Sequence, residues 1–516
     1  MTARLRALPE DFTPYAWAPS TEELARRAGL DPVEIVRFDG NVPPRPLPSA
    51  RPGALAAALA DVNTYPHGGY TELEAGIAAY AGVERENVVL GAGADDLILL
   101  CARAFAGPGD TVAVPPSPTY PLFRVGALLA GAAVGDDDPV LTFTCRPGNP
   151  YGELPPLPAA RPLAIDEAYY EYAGETAAGL IHDEDVVVIR TFSKAFALAG
   201  ARVGYLLAGR GLAAELRARQ SPAPVSTLSA ALAVAALRNP PDVSAVVEER
   251  ERLAEELRAL GLEPVPSRAN FVFVPVDDPQ GLAEALLPSG CVPRVTGGGI
   301  RISVRDREDD DLLLAALAKA LDREPSNTLS LSRTRRARTV RATAETTIRV
   351  RLGLDGEGRV RVQTGTGLYD HLLEQLAFHG GLDLVVDGTG DWETGPHHTA
   401  EDTAIALGEA LDRALGDRSG IARYGNAVVP MDDALAHAAV DLGGRRGAEI
   451  RLEHDPGLAR HMLESFASAA RMTLHVEATG RDDHHVAEAA CKAVGRALRA
   501  AVTREGEGLP STKGLL

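Results

Sequence analysis

The sequence predicts two α/β domains in tandem: a large doubly wound domain with a small α+β lobe, then a duplicated pair of α/β half-domains. Three observations carry this reading. Short apolar runs alternate with amphipathic stretches from Pro52 onward, as buried strands alternate with covering helices. Residues 324–337 are polar, include Pro325 and lack apolar periodicity, as a linker would. His397-His398-Thr399-Ala400-Glu401 returns as His484-His485-Val486-Ala487-Glu488, and the flanks His371-Leu372-Leu373-Glu374 and His461-Met462-Leu463-Glu464 repeat with it.

The elements follow in order. A short helix near Thr21–Ala28 interrupts a proline-rich start. Val88-Val89-Leu90 and Thr111–Val114 read as strands on either side of a helix ending near Phe105, and Leu163-Ala164-Ile165 and Val186–Ile189 as buried parallel strands. The large domain is placed at about 52–225. The N-terminal arm and about 226–323 form the small lobe, with strands at Phe271–Val274 and Ile300–Val304 and a last helix to Leu321. The second domain spans 338–516, split at about 422/423, and opens with an alternating strand from Thr346 to Leu354.

Composition bounds the function. At 516 residues the chain exceeds a single core, and 45% hydrophobic with 24% charged residues is ordinary for a globular protein. A net charge of −19 argues against nucleic acid as a partner, and no apolar run reaches membrane-spanning length. Met1–Glu10 lacks the apolar core of a signal peptide, and Cys101, Cys145, Cys291 and Cys491 are scattered, so a reducing cytoplasm is expected.

In the first domain Lys194 follows the strand at Ile189, near a carboxyl end, where α/β domains bind ligands. A lysine there can form a Schiff base with an aldehyde cofactor. Asp166, ending another strand, suits a pyridinium nitrogen, and Asn149 and Tyr169 a phenolate. Gly93, Ala94 and Asp95 at a helix start, with Ser193 and Arg202, suit a phosphate, and Tyr120 offers a stacking ring. The run Thr191-Phe192-Ser193-Lys194-Ala195-Phe196-Ala197-Leu198-Ala199-Gly200-Ala201-Arg202-Val203-Gly204-Tyr205 resembles the lysine segment of the histidinol-phosphate aminotransferases, and the likeness extends over about residues 10–322. It implies a fold-type-I enzyme using pyridoxal 5′-phosphate. Lys194 is then Schiff base and proton shuttle, and Asp166 the pyridinium partner. Tyr65 reaches a neighbouring subunit's cofactor, and Arg301 binds the substrate's anionic end. The sequence departs from the family at Gly148-Asn149-Pro150-Tyr151-Gly152, at Gly40-Asn41-Val42-Pro43 and at Ala94. Aromatic aminotransferases and a phosphothreonine decarboxylase share the scaffold and stand as alternatives.

In the second domain the two His-His-x-x-Glu segments, with His371 and His475, supply six imidazoles (His371, His397, His398, His475, His484, His485) and two carboxylates (Glu401, Glu488). That is enough for two octahedral metals with three His and one Glu each. Such donors suit Mn, Fe or Zn rather than Mg or Ca. Arg423, Arg445, Lys492 and Lys513 suggest an anionic substrate, and Ser511-Thr512-Lys513-Gly514 a phosphate clasp. Asp370–Gly380, His397–Asp402, Met431–Leu435, Thr473-Leu474-His475, His484-His485 and Ser511–Gly514 together resemble imidazoleglycerol-phosphate dehydratase over about residues 335–516. The resemblance implies that these eight ligands hold two manganese ions. It places Glu345, Gln375, Arg423, Arg445, Lys492, Ser511 and Lys513 at the substrate or its phosphate. It implies an elimination in which a carboxylate (Glu345, Glu401 or Glu488, unranked) removes a carbon proton while the metals serve as Lewis acids and template. Asp433, Arg446 and Cys491 depart from the family pattern without touching a ligand.

The ketone made by such a dehydratase is the substrate of such an aminotransferase. The expected protein is therefore a bifunctional enzyme of histidine biosynthesis, acting on small phosphorylated imidazoles with glutamate and 2-oxoglutarate. It is expected as a homo-oligomer: aminotransferase dimers, with a 24-chain dehydratase shell implied by the second family. The alternative for the second domain is a non-catalytic assembly scaffold.

Overall fold

The computed structural model describes residues 12, 18–30, 32–43, 58–60, 62–66, 68–182, 185–324, 335–356, 358–390, 395–455, 457–506 and 508–511. The chain forms two compact units, Met1–Leu329 and Ser330–Leu516.

In the first unit a seven-stranded sheet runs in the order Val88–Gly91, Gly204–Ala208, Val186–Thr191, Leu163–Asp166, Leu141–Cys145, Thr111–Ala113, Ala133–Val134. Gly204–Ala208 is antiparallel to its two neighbours, and the other pairings are parallel. The central strands are buried throughout because helices cover both faces, so their sequences read as continuous apolar runs. The turn after Asp166 is tied down by Glu167, which forms a buried ion pair with Arg190 at 3.0 Å and accepts a hydrogen bond from Thr176 Oγ1 at 2.8 Å. A buried charge is tolerated only when paired in this way.

The smaller lobe has the antiparallel order Arg294–Thr296, Gly299–Ser303, Phe271–Pro275. The N-terminal arm joins it, with Val36–Arg37 pairing in parallel with Cys291–Val292. The helix Thr21–Ala28 is capped by Ser20 and buries Leu24 and Ala25 near Leu287. The lobe expected to begin near 226 starts later. The helix Thr227–Leu237 buries Ala233 and Ala236 in the large-domain core with Leu73 and Ile77, because small residues let the helices approach closely. The lobe's first helix after it is Ser244–Ala259, followed by Pro279–Leu286 and Arg307–Ala320.

The second unit is the same half-fold twice. Its sheets run Arg336–Ala342, Thr346–Gly353, Asp383–Gly390, Val360–Gln363 and Tyr424–Met431, Ala434–Asp441, Thr473–Thr479, Gly447–Leu452, with identical strand directions. The first strand starts at Arg336, two residues inside the segment read as linker. Each half adds two helices, Gly367–Gly380 and His397–Leu415, then Ala459–Ala469 and Asp483–Val502. One core joins the halves. The helices pair crosswise: Gly367–Gly380 packs on Asp483–Val502, and His397–Leu415 on Ala459–Ala469. Neither half can bury its helices alone, so the exchange decides which repeated residues meet.

Candidate active sites

In the first unit the reactive side chains gather at the carboxyl ends of the central strands. Lys194 lies just past Val186–Thr191, its Nζ 5.5 Å from the Tyr169 ring centre. Burial and the nearby Arg301 pull its ammonium down from the ordinary lysine value to about 8. Burial pushes the Asp166 carboxyl up to about 7, and its Oδ1 accepts from the Ala168 N–H at 3.0 Å. The Tyr169 hydroxyl accepts from Asn41 Nδ2 at 3.1 Å, and burial raises it to about 12. Arg301 Nη1 donates to Asn149 Oδ1 at 2.7 Å, and Nη2 to the Asp39 carbonyl at 2.8 Å.

The phosphate cradle is built from backbone. Gly93 has φ +84° and caps the helix Ala94–Phe105, directing N–H groups outward. A Cβ on Gly204 would stand 2.6 Å from the Gly93 carbonyl carbon, so this approach requires glycine. Arg202 Nη2 bonds Asp95 Oδ2 at 2.8 Å, and the Tyr120 hydroxyl donates to Asp95 Oδ1 at 2.7 Å. Thr191 Oγ1 donates to Ser193 Oγ at 2.9 Å. A buried amine of lowered pKa, a buried carboxylate and a helix N-terminus beside an arginine fit an aldehyde cofactor with a ring nitrogen and a phosphate.

In the second unit two triads form across the helix pairs. His371 Nε2 and His484 Nε2 lie 3.5 and 3.4 Å from Glu488 Oε2, with the rings stacked at 5.6 Å. His397 Nε2 and His461 Nε2 lie 3.6 and 3.5 Å from Glu401, with rings 5.0 Å apart. In each triad the candidate ligand atoms fall within 4.8 Å of one another, and His461 Nε2 is buried without a hydrogen-bond partner. Two imidazoles and one carboxylate fit a transition metal in each place, and the unpartnered His461 ring nitrogen adds to the fit in the second.

The first unit matches the family model for aminotransferase class I and II over residues 34–136 and 136–317, and the second that for imidazoleglycerol-phosphate dehydratase over 364–498. A dehydratase of that name from Methanococcoides burtonii is 49% identical over 160 residues, covering 30% of this chain and 84% of its own length. One from Frankia casuarinae is 50% identical over 164 residues, with the same coverage. The chain belongs to both families. A crystal structure of histidinol-phosphate aminotransferase from Sinorhizobium meliloti, bound to pyridoxal-5′-phosphate, is 27% identical, with a TM-score of 0.53 over 61% of this chain and 98% of its own.

Within the aminotransferase part, Lys194, Asp166, Tyr169, Asn149 and Arg301 stand together around one site, and Gly93, Ala94, Asp95, Tyr120, Ser193 and Arg202 around its cradle. Tyr65 is 83% exposed. Arg294 is an addition: it pairs across the strand ladder with Arg301, whose pKa is lowered by burial and, to a lesser degree, by the Arg294 charge. The signal was in the sequence. A Gly297-Gly298 two-residue turn, both at positive φ, sets Thr296 opposite Gly299 and hence Arg294 opposite Arg301.

Within the dehydratase part, the described residues of one chain bring together five of the eight expected ligands, His371, His397, Glu401, His484 and Glu488. His475 lies on the exposed face of its strand, because Leu474 and Val476 turn inward to the helices, and it joins neither triad. His461 takes a place instead. Each triad counts two histidines of this chain. His398 Nδ1 faces Glu345 at 3.3 Å, and His485 Nδ1 faces Asp433 at 2.6 Å, so the departure at Asp433, expected to touch no ligand, does touch an expected one. That contact holds the Asp433 carboxyl well below the usual range and raises the His485 imidazole. Gln375 sits one turn beyond His371 on the same helix. Arg423, expected at a phosphate, is bound by Asp441 at 2.7 Å and donates to the Pro510 carbonyl at 2.9 Å, so it anchors the returning tail ahead of Ser511. Lys492 Nζ lies 2.8 Å from Glu488. Arg445 is exposed in the connection between the strands Ala434–Asp441 and Gly447–Leu452, and Lys513 lies outside the described residues.

Proposed function

We propose that the chain carries out two consecutive steps of histidine biosynthesis. The dehydratase part converts imidazole glycerol phosphate to imidazole acetol phosphate, and the aminotransferase part transfers an amino group from glutamate to that ketone, giving histidinol phosphate and 2-oxoglutarate. The observation that carries this is the union, in one chain, of a buried lysine–carboxylate site and two His-His-Glu triads, each within its family's domain.

In dehydration a C–O bond breaks, a carbon proton leaves, and the resulting enol becomes a ketone. Glu401 and Glu488 belong to the triads, whereas Glu345 is half exposed and faces only the His398 imidazole among its ion-pair partners in the described residues. Glu345 is therefore the carboxylate available to take the proton. The triads His371/His484/Glu488 and His397/Glu401/His461 would hold two divalent metals, manganese by family resemblance, which when bound supply Lewis acidity and a template.

In transamination Lys194 is the group that takes and returns a proton at the reacting carbon, since burial makes it a base near neutral pH. Arg301 and Arg294 present two adjacent cations to an anionic substrate. Lys194, Asp166 and the cradle of Gly93, Ser193 and Arg202 would hold pyridoxal 5′-phosphate, which would supply an electron sink when bound. Tyr65 is exposed and so available to a second subunit, which supports a homo-oligomer. No helix among the described residues is long and apolar enough to cross a membrane, and we place the enzyme in the cytoplasm.

The test separates the halves. His397→Ala should lose conversion of imidazole glycerol phosphate while still aminating supplied imidazole acetol phosphate. Failure of wild-type protein to aminate that ketone, with glutamate and pyridoxal 5′-phosphate present, would refute the aminotransferase assignment.

A further inference from the structure

The segment Gly40-Asn41-Val42-Pro43, one of the places where the sequence departs from its family, ties the N-terminal arm to the aminotransferase site. Asn41 is 1% exposed and adopts φ +49°, a left-handed turn that asparagine tolerates better than most side chains. Its backbone N–H donates to Ser303 Oγ at 2.8 Å, and its carbonyl accepts from Asn270 Nδ2 at 3.2 Å. The Ser303 hydroxyl shares its hydrogen between Asn41 Oδ1 at 2.9 Å and the Phe38 carbonyl at 2.7 Å. Ser303 ends the strand Gly299–Ser303, Asn270 directly precedes Phe271–Pro275, and both are buried. The small lobe and its arm thus hold the Asn41 amide, and Nδ2 is left for the large domain. There it donates to the Tyr169 hydroxyl at 3.1 Å.

An amide NH2 only donates, so the Tyr169 oxygen accepts and its own hydrogen remains for another acceptor. Burial keeps that hydrogen on the hydroxyl at neutral pH. Among the described residues no oxygen accepts it, and Asn149 Oδ1 is already taken by Arg301 at 2.7 Å. The acceptor that completes the arrangement is the phenolate oxygen of the cofactor. A hydroxyl that accepts one bond donates the next more strongly. A donor on the phenolate oxygen stabilises its negative charge and so weakens the hold on the cofactor's proton.

We propose that Asn41 is a positioning residue of the aminotransferase site: it fixes the Tyr169 hydroxyl as a donor to the cofactor phenolate, and it makes that donation depend on the seating of the small lobe and its arm. This rests on the cofactor reading proposed above.

The test is a pH titration of the absorbance of the full chain loaded with pyridoxal 5′-phosphate, without substrate, in which the midpoint reports how firmly the cofactor's proton is held. Tyr169→Phe should raise the midpoint by about one unit, the worth of one hydrogen bond. Asn41→Gly keeps the backbone, since glycine adopts φ +49° freely, and should raise the midpoint by about half a unit. In the Tyr169→Phe background Asn41→Gly should add nothing. Ser303→Ala removes the anchor and keeps the amide. It should shift the midpoint in the same direction by less, and it decides the matter if Asn41→Gly does not fold. Arg301, Asp166, Lys194, Cys145, Tyr120 and Tyr172, the other titratable groups about Tyr169, stay in every variant, so their fields cancel in the comparison. An unmoved midpoint in Asn41→Gly, or in Ser303→Ala standing in for it, would overturn the inference while leaving the cofactor in place. So would an equal rise with and without the Tyr169 hydroxyl. Wild-type protein that takes up no pyridoxal 5′-phosphate, or an unmoved midpoint in Tyr169→Phe, would instead overturn the cofactor reading itself.

Discussion

In the aminotransferase part the reactive groups are packed inside one fold and perturb one another, whereas in the dehydratase part they stand half exposed on helices exchanged between two copies of a half-fold. The first arrangement tunes protons. Lys194 is brought down to about 8 and Asp166 up to about 7 by burial, which removes the water that would stabilise their charged forms. The second arrangement tunes geometry. The triad imidazoles keep open access, and their value lies in where crossed helices place them. Proton chemistry and Lewis-acid chemistry thus draw on different properties of a fold, and substitutions should separate them.

The largest separation is expected at Lys194. Lys194→Ala should lower transamination by about 10³-fold or more while leaving dehydration unchanged, as measured by separate assays on one preparation. Equal loss of both would mean that the parts depend on each other. Glu345→Gln should lower dehydration by about 10²-fold or more with metal content retained. Glu401→Gln and Glu488→Gln should lower activity and metal content together, and metal analysis distinguishes the base from the ligands. His461→Ala should remove one metal per chain and His475→Ala none. The reverse result would restore the set read from sequence.

The smallest effects concern pH. Uptake of pyridoxal 5′-phosphate by cofactor-free protein should rise with pH about a midpoint near 8, not near 10.5, because the neutral amine is the attacking form. Stability should follow with the same sign for Lys194: its depressed pKa contributes stability above about pH 10.5, lost as pH falls through 8. Asp166 runs oppositely, its raised pKa contributing below about pH 3.8 and losing that contribution as pH rises through 7. A pH series of urea unfolding in cofactor-free protein, compared with Asp166→Asn, resolves the two.

Much of this was legible in the sequence because local chemistry and local structure coincide there. Lys194 and Asp166 could be placed because each ends an apolar run that can only be a buried strand. The triad glutamates could be placed because i and i+4 share a helix face. What failed to show was pairing between elements. His461 was aligned with His371 by the repeat itself, yet the sequence does not say that the two halves exchange helices, so nothing joined His461 to His397. His475 stands on the outer face of its strand, between Leu474 and Val476, which turn inward. Arg423 looked available until its partner strand brought Asp441 alongside. Helix exchange and strand pairing are tertiary facts, set by which apolar faces must be covered.

The most direct measurement is a single reaction containing the purified chain, manganese, pyridoxal 5′-phosphate, ¹⁵N-glutamate and imidazole glycerol phosphate, followed by mass spectrometry over time. The expected result is ¹⁵N-labelled histidinol phosphate with one equivalent of 2-oxoglutarate, preceded by imidazole acetol phosphate. Imidazole acetol phosphate accumulating without label transfer would contradict the assignment of two consecutive steps to one chain, and an unchanged substrate would contradict the dehydratase step on which the sequence of reactions depends.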